Sequence, residues 1–311
     1  MGKRAFVFPG QGSQAVGMGQ ALYAHSESLR QLFVEADRVL DFPLTRLMFE
    51  GPEETLRLTE NTQPALLLTA VAALTLIREG TDLRPDYVAG HSLGEYAAIV
   101  AAGGFGFADA LRLVRLRGKA MQAAAPVGSG AMAAMLNLGV AEVESLCREA
   151  AEATGMVCTP ANYNTDAQIV ISGSKVAVEK AVELAKSRGA KRCISLPVSA
   201  PFHSPLMAPA AKVMAEALDK VEIRNLEVPL VANVTAREVT DGAEVRRLLV
   251  EQVTGAVKWE ASVLRLVELG VSAVIEVGTG KTLTGMVKRI DKNLQGAAVN
   301  VPEDLAAVAA L

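Results

Sequence analysis

Cysteine and aromatic residues are scarce in this chain, and each shortage excludes a class of protein. The three cysteines, Cys147, Cys158 and Cys193, have neither the spacing of a metal site nor the even number of a disulfide framework. We interpret them as small buried residues. Aromatic residues make up only 4% of the 311 residues, which argues against an all-β sandwich. No metal site is predicted.

Long apolar runs and an excess of one charge are also missing. The longest largely apolar run, residues 65–77, has 13 residues and is too short to span a bilayer. Lys3 and Arg4 lead straight into a strand, so no signal peptide is predicted. A net charge of −3 without a basic run argues against nucleic acid as a partner. We expect a cytoplasmic protein that binds neither membrane nor nucleic acid.

Short apolar strands alternate along the chain with long helices rich in Ala, Leu and Val. This order is typical of an α/β fold with a mainly parallel sheet. The predicted core strands cover residues 5–8, 87–90, 194–197, 228–231 and 273–277, and the predicted helices include residues 13–36, 63–79, 107–124 and 260–269.

The pattern changes between residues 126 and 198. Strands at 131–136, 157–162, 168–172 and 191–196 and helices at 141–153 and 175–188 are predicted there, in the order β-α-β-β-α-β. That order is the ferredoxin-like split motif. We therefore predict a discontinuous catalytic core of residues 1–125 and 199–311, with a ferredoxin-like subdomain of residues 126–198 inserted in it.

Residues 90–94 (GHSLG) fit the G-x-S-x-G pattern of a nucleophile elbow. They lie between a predicted buried strand and a predicted helix, which is the setting that such an elbow requires. Ser92 then projects at the N-terminus of the helix, where the backbone N–H of Leu93 and the helix dipole can stabilise an oxyanion. Ser92 is the predicted nucleophile, and an ordinary glycine-rich turn is the alternative.

A serine nucleophile needs a base, and the chain has three histidines. His25 lies in a polar helical stretch and is interpreted as a surface residue. His91 is adjacent to Ser92, and since neighbouring side chains diverge, it is expected to support the elbow. His203 remains as the predicted base, in a proline-stiffened loop before a helix whose N-terminus disfavours the imidazolium form.

A third catalytic member is not evident. Asp109, Asp166 and a few helix glutamates lie between Ser92 and His203 in chain order, where an α/β-hydrolase has its acid, but none has a persuasive context. A backbone carbonyl that orients the histidine is the alternative, and it would make a dyad.

Arg117 lies on the apolar stripe of the predicted helix 107–124 at 100° per residue, whereas Arg112, Arg115 and Lys119 lie on the opposite side. A guanidinium in that position stays charged and needs an oxyanion partner. The partner is either an internal Asp or Glu or the carboxylate of a ligand. Beside a serine nucleophile, we favour the ligand.

Two glycine-rich stretches are compared with nucleotide-binding loops and rejected. Residues 8–14 (FPGQGSQ) carry Pro9 and the wrong glycine spacing for a dinucleotide loop, although their backbone N–H groups can serve an oxyanion. Residues 278–282 (GTGKT) resemble the end of a Walker A loop, but Ile275 stands where its first glycine is required.

Several motifs together resemble the malonyl-CoA:acyl carrier protein transacylase family. They are residues 8–14 (FPGQGSQ), 90–95 (GHSLGE), 115–118 (RLRG) with Met121 and Gln122, and 201–204 (PFHS), supported by 161–164 (ANYN), 168–173 (QIVISG) and 276–280 (EVGTG). The resemblance runs almost end to end. It implies an α/β-hydrolase-like core with a ferredoxin-like insertion.

The resemblance also implies roles for individual residues. Ser92 would carry the acyl group and His203 would act as its base, while the backbone N–H groups of Gln11 and Leu93 would form the oxyanion hole. Arg117 would bind the malonyl carboxylate. The main-chain carbonyl of Gln252 would orient the histidine.

The implied reaction is a ping-pong transfer of malonyl from malonyl-CoA to the phosphopantetheine thiol of acyl carrier protein, in fatty acid or polyketide synthesis. No resident cofactor is expected, and a monomer is favoured. A serine thioesterase or esterase on the same elbow, or a non-catalytic docking module for acyl-CoA or carrier protein, are the alternatives. The chain departs from the family where Ser-Pro-Gly is common, at residues 165–167, and where a proline is usual, at Val257.

Overall fold

Two separate β-sheets organise the chain in the computed structural model, which describes residues 2–126, 128–198 and 200–309. The strands are β1 Lys3–Phe8, β2 Tyr87–Gly90, β3 Gly130–Leu136, β4 Cys158–Thr165, β5 Gln168–Ser174, β6 Arg192–Ser195, β7 Leu230–Val231, β8 Glu238–Val239, β9 Val271–Val277 and β10 Gln295–Val299.

The α-helices lie between and around these strands. They are α1 Gln20–His25, α2 Glu27–Leu40, α3 Leu44–Glu50, α4 Glu53–Leu56, α5 Thr59–Gly80, α6 Gly94–Ala101, α7 Phe107–Ala123, α8 Val140–Thr154, α9 Lys175–Ser187, α10 Ala208–Leu218, α11 Gly242–Thr254, α12 Trp259–Glu268, α13 Thr282–Ile290 and α14 Leu305–Val308. Two 3₁₀ helices, Pro205–Met207 and Pro302–Asp304, precede α10 and α14.

The larger sheet has the strand order β10-β9-β1-β2-β7-β8 and is parallel except for β8, which pairs antiparallel with β7. Its central strand β1 is buried from Ala5 to Phe8. Strands that are apolar on both faces need helices on both faces, and α5, which is buried along almost its whole length, covers one of them. This confirms the predicted α/β class.

The smaller sheet is four-stranded and antiparallel, in the order β4-β5-β3-β6. Helices α8 and α9 pack against it around a second apolar cluster that includes Met135, Leu146 and Ile171. The chain order of these elements is the predicted β-α-β-β-α-β. Val127 and Ser199, on which the predicted subdomain boundaries bear, lie outside the described residues, as do Met1, Ala310 and Leu311.

Some predicted elements were wrong. The helix predicted over residues 13–36 is two helices, since Ser26 ends α1 and caps α2 by accepting from the Leu29 N–H at 3.3 Å. Residues 13–19 are not helical, and Gly17 and Gly19 have φ angles of 94° and 82° there. The core strand predicted at 194–197 was wrong, whereas the subdomain strand predicted at 191–196 is confirmed, since β6 ends at Ser195 and belongs to the small sheet. Strands β8 and β10 were not predicted.

Within the described ranges, no helix combines the length and the apolar character that a membrane crossing requires.

Candidate active site

The turn between β2 and α6 is a tight elbow that presents Ser92. Ser92 has a φ of 53°, in the left-handed region that non-glycine residues rarely adopt. The turn also brings α6 close to β1. A Cβ on Gly94 would lie only 2.1 Å from the Phe8 carbonyl oxygen. A Cβ on Gly90 would lie 2.1 Å from the Gly94 backbone. The two glycines are therefore required by close approach of the backbone.

Asn233 holds this elbow from the neighbouring strand. It follows β7, is 1% exposed, and its Oδ1 accepts from the Ser92 N–H at 2.8 Å. Its Nδ2 donates to the Gly90 carbonyl at 2.6 Å. One side chain thus spans both arms of the turn. Sequence reasoning missed Asn233, although a polar residue just beyond the carboxyl end of a parallel strand is a signal for a site residue.

His203 lies directly beside Ser92, with Nε2 2.7 Å from the Ser92 Oγ. Its Nδ1 lies 2.9 Å from the Gln252 carbonyl oxygen and 3.1 Å from that of Gly255. Carbonyl oxygens only accept, so Nδ1 carries the proton and Nε2 is free to accept one from the serine. The arrangement is a Ser-His pair in which backbone carbonyls occupy the place of an acid.

Neither aspartate considered as a third member contacts the histidine. Asp109 pairs with Arg112 at 3.1 Å on the surface, and Asp166 lies near Glu260, which accepts from its N–H at 2.8 Å.

The environment of His203 keeps its imidazole neutral. Burial lowers its pKa to about 3, and the charge of Arg117 acts in the same direction. The bonds to the Gln252 and Gly255 carbonyls oppose this shift. The sequence predicted a neutral ring but ascribed it to a helix N-terminus. The causes are instead desolvation and a neighbouring guanidinium.

Arg117 projects from α7 into the same site and is 1% exposed. Its Nη1 donates to Gln63 Oε1 at 2.9 Å, and its Nη2 donates to Gln252 Oε1 at 2.9 Å and to Ser92 Oγ at 3.1 Å. Its Nε has no partner in the described part of the chain, and no described carboxylate lies within ion-pair distance. The internal salt bridge considered from the sequence is therefore absent among these residues, and a buried positive charge faces the nucleophile.

These groups line a cavity of about 360 Å³. The larger sheet contributes Ser92, His203 and Arg117 from its connections, and the side of the antiparallel sheet contributes Met132, Asn162 and Leu196. Gln11 and Leu93 also line the cavity, and the backbone N–H of neither donates to an acceptor in the described ranges. The wall of the cavity thus offers a candidate nucleophile, a candidate base, a cation that can bind an anion, and two amide donors.

His91 lines the cavity without bonding to the Ser92 hydroxyl, and His25 lies outside the cavity lining. His91 is turned away from the Ser92 hydroxyl, with Nε2 2.9 Å from Asn164 Oδ1 and its ring 5.7 Å from that of Trp259. Burial lowers the pKa of His91, which makes it a neutral packing residue of the elbow. His25 is exposed at the end of α1.

A buried polar network surrounds the site. Gln252 contributes its side chain as well as its backbone: Nε2 donates to the Ser92 carbonyl at 2.8 Å and to Glu95 Oε2 at 2.5 Å. Glu95 Oε1 accepts from the Asn233 N–H at 2.8 Å. Sequence reasoning missed Glu95 and Gln63. The signal for Glu95 was a single acidic residue in an otherwise apolar helix.

The chain matches the family model described as an acyl transferase domain over residues 5–302. It is 47% identical to the malonyl CoA-acyl carrier protein transacylase of Bacillus subtilis over 305 residues, which cover 98% of this chain and 96% of the relative. The chain belongs to the malonyl CoA-acyl carrier protein transacylase family.

Solved transacylases of the family share the whole fold. The transacylase of Coxiella burnetii is 39% identical and superposes with a TM-score of 0.96, covering 99% of this chain and 97% of its own. A malonyl-transacylase solved in complex with its type II PKS acyl-carrier protein is 42% identical with a TM-score of 0.96, and 99% of each chain is covered.

One departure from the transacylase pattern has a structural consequence. The Val257 N–H donates to the Ala161 carbonyl at 2.8 Å, and the Val257 carbonyl accepts from the Tyr163 N–H at 2.9 Å. A proline at this position has no N–H to donate. Val257 therefore adds a hydrogen bond between the antiparallel sheet and the segment that leads to α12.

Proposed function

We propose that this chain transfers the malonyl group of malonyl-CoA to the phosphopantetheine thiol of an acyl carrier protein. The names of its relatives support the reaction, and the buried guanidinium 3.1 Å from the Ser92 hydroxyl is the observation that carries the substrate assignment. A malonyl ester has its free carboxylate one methylene away from the ester carbonyl. A cation beside the nucleophile suits such a short diacid, because the carboxylate must lie close to the bond that forms.

In the first half-reaction, the Ser92 Oγ attacks the thioester carbonyl while His203 Nε2 takes the hydroxyl proton. The negative charge that develops on the carbonyl oxygen is stabilised by the backbone N–H groups of Gln11 and Leu93. Arg117 binds the malonyl carboxylate with hydrogen bonds that are charge-assisted. The C–S bond then breaks, and the coenzyme A sulfur leaves with the proton that the histidine holds.

In the second half-reaction, the carrier protein's thiol replaces coenzyme A in the same pocket. His203 Nε2 takes the thiol proton as the sulfur attacks the malonyl-serine ester, and the serine oxygen leaves with that proton. The Gln252 carbonyl oxygen holds the Nδ1–H of His203 through both steps. Side chains and backbone groups supply every role in this ping-pong scheme, so we propose that no resident cofactor takes part.

The organisation and setting follow from the same proposal. We assign the catalytic core to residues 1–125 and 199–311 and treat residues 126–198 as a subdomain that closes one side of the acyl cavity. We also propose a monomer that acts in the cytoplasm, in fatty acid or polyketide synthesis, where the two substrates of the reaction meet.

Intact mass spectrometry after incubation with malonyl-CoA tests the proposal. We expect the protein to gain one malonyl group, to keep it in buffer, and to lose it when holo acyl carrier protein is added. Ser92→Ala is the control and should gain nothing. Rapid loss of the added mass to water would indicate a hydrolase, and no gain at all would indicate a binding module, so either result would overturn the transferase proposal.

A further inference from the structure

Glu95 is a buried carboxylate that the proposed chemistry does not use. It lies in the first turn of α6, is 1% exposed, and forms no ion pair within the residues that the structure describes. Seven of the eight residues of α6 are buried, so the carboxylate is shielded from solvent. Burying a charge in such surroundings is costly unless its oxygens accept hydrogen bonds. The partners of the two oxygens therefore indicate what Glu95 is for.

Each oxygen of Glu95 holds a different part of the active site. Oε1 accepts from the Asn233 N–H at 2.8 Å, and the Asn233 side chain in turn holds Ser92 and Gly90. Oε2 accepts from Gln252 Nε2 at 2.5 Å, and Gln252 Oε1 accepts from Arg117. The Asn233 branch thus reaches the elbow, and the Gln252 branch reaches the guanidinium and also the Ser92 carbonyl.

From this geometry we propose that Glu95 is a positioning residue that fixes the Ser92 elbow and the Arg117 guanidinium relative to each other. This inference rests on the proposed function, because it concerns how the malonyl carboxylate and the attacked carbonyl are held at one spacing. Glu95 does not line the cavity and acts through Asn233 and Gln252.

The two branches need a side chain with a hydrogen-bond acceptor at each of its two terminal atoms, because Asn233 and Gln252 both donate. An ionised carboxylate has only acceptors, whereas a carboxamide has one acceptor end and one donor end. In Glu95→Gln the new NH₂ group must face either the Asn233 N–H or the Gln252 NH₂, and both of these are donors. One branch must break, although the size and shape of the side chain are retained.

The raised pKa of Glu95 makes the pH dependence of acylation a second measurement of its role. Burial raises the pKa of Glu95 to about 7, opposed by its bonds to Asn233 and Gln252 and by the charge of Arg117. The other titratable groups around it lie far from neutrality: burial raises the pKa of Tyr96 on the same helix to about 12, and that of His203 is lowered to about 3. Burial also lowers the pKa of His91, and Arg117 stays charged. Protonation of Glu95 near pH 7 should therefore resemble Glu95→Gln.

The test measures the rate of Ser92 acylation by rapid quenching and intact mass, with malonyl-CoA and acetyl-CoA, in wild type and Glu95→Gln. We expect malonyl acylation to fall at least tenfold at saturating substrate, with a smaller change in the half-saturating concentration. Loss of the Gln252 branch would lower the malonyl rate more than the acetyl rate, because Gln252 holds both Arg117 and the Ser92 carbonyl. Loss of the Asn233 branch would lower both rates equally. Malonyl acylation within twofold of wild type would overturn the inference.

Glu276→Gln is the matched control. Glu276 is also fully buried, and its carboxylate accepts from the Leu283 and Thr284 N–H groups at 3.2 and 2.7 Å, away from the cavity. We expect this variant to lose stability but to acylate at the wild-type rate; an equal loss of rate in both variants would assign Glu95 a merely structural role.

The wild-type protein alone provides a second test, which holds even if Glu95→Gln does not fold. Its acylation rate should fall on the acid side with a midpoint near pH 7, and a rate that is flat from pH 5 to 8 would overturn the inference. A wild-type protein that never gains malonyl would instead contradict the proposed function.

Discussion

At the scale of single residues, we propose that the charge of Arg117 decides which acyl group is favoured. All of its described hydrogen-bond acceptors are neutral oxygens, from Gln63, Gln252 and Ser92. Such acceptors orient the guanidinium without neutralising it. A carboxylate that enters the cavity therefore gains both charge compensation and hydrogen bonds, and an acetyl group gains neither.

We predict that Arg117→Ala lowers kcat/KM for malonyl-CoA strongly and leaves the rate with acetyl-CoA unchanged or higher. Two charge-assisted hydrogen bonds contribute about 3–6 kcal/mol, which corresponds to about 10²–10⁴-fold in rate. Arg115→Ala is the control on the same helix, because Arg115 bonds to the Leu40 carbonyl and lies over the Phe42 ring. If the ratio of malonyl to acetyl transfer is the same in wild type and Arg117→Ala, Arg117 does not select the substrate.

Residues differ in how far sequence alone can identify them. Ser92 is marked by its own neighbours, since the glycines of the elbow stand beside it in the chain. His203 was found because only three histidines had to be compared, and Arg117 because its helix has a readable apolar face. Asn233 and Glu95 were not found, because their roles depend on contacts 138 or more residues apart along the chain.

At the scale of elements, close approach between helices sets where the guanidinium lies. Helix α7 packs on the start of α5 at Gly118, the residue after Arg117, and a Cβ there would lie 2.6 Å from both the Glu60 Cα and the Thr59 carbonyl oxygen. These are backbone atoms, so relief requires the two helices to separate. Gln63, which accepts from Arg117, lies on α5 itself.

We predict that Gly118→Ala lowers both the stability of the protein and its preference for malonyl over acetyl. The methyl group should move α7 and α5 apart and so separate Arg117 from Gln63. Gly285→Ala is the control, since Gly285 lies within α13 and a Cβ there has no neighbour within 4 Å. That substitution should raise the free energy of unfolding by up to about 1 kcal/mol. Thermal unfolding and the two transfer rates would check this, and a stable Gly118→Ala with wild-type preference would contradict it.

The errors in element prediction have identifiable causes. One helix was predicted over residues 13–36, because the sequence pattern does not show that Gly17 and Gly19 adopt positive φ or that Ser26 caps a new helix. The strand at Arg192–Ser195 was predicted both for the core and for the subdomain, because local pattern does not specify which sheet a strand joins. Strand β8 has two residues, which is below the length at which alternation is visible.

At the scale of the whole molecule, two buried groups of the active site should influence stability against pH in opposite senses. The native pKa of His203 is about 3 against an ordinary 6.5, so its contribution is present above pH 6.5 and is lost as pH falls towards 3, by about 5 kcal/mol. The native pKa of Glu95 is about 7 against an ordinary 4.5. Its contribution is present below pH 4.5 and is lost as pH rises through 7, by about 3 kcal/mol.

These slopes oppose each other between pH 4.5 and 6.5, and Glu95→Gln should remove one of them. We predict that the free energy of unfolding of this variant, relative to wild type, rises by about 3 kcal/mol from pH 4.5 to 8. Urea unfolding at several pH values measures this difference. The contributions of surface carboxylates are common to both proteins and cancel in it. Urea unfolding of Glu276→Gln at the same pH values shows whether replacing any buried carboxylate by a carboxamide changes the pH dependence of the free energy of unfolding. A wild-type-minus-variant difference that does not change with pH would contradict the raised native pKa of Glu95, because a group with equal native and unfolded pKa values binds the same number of protons in both states.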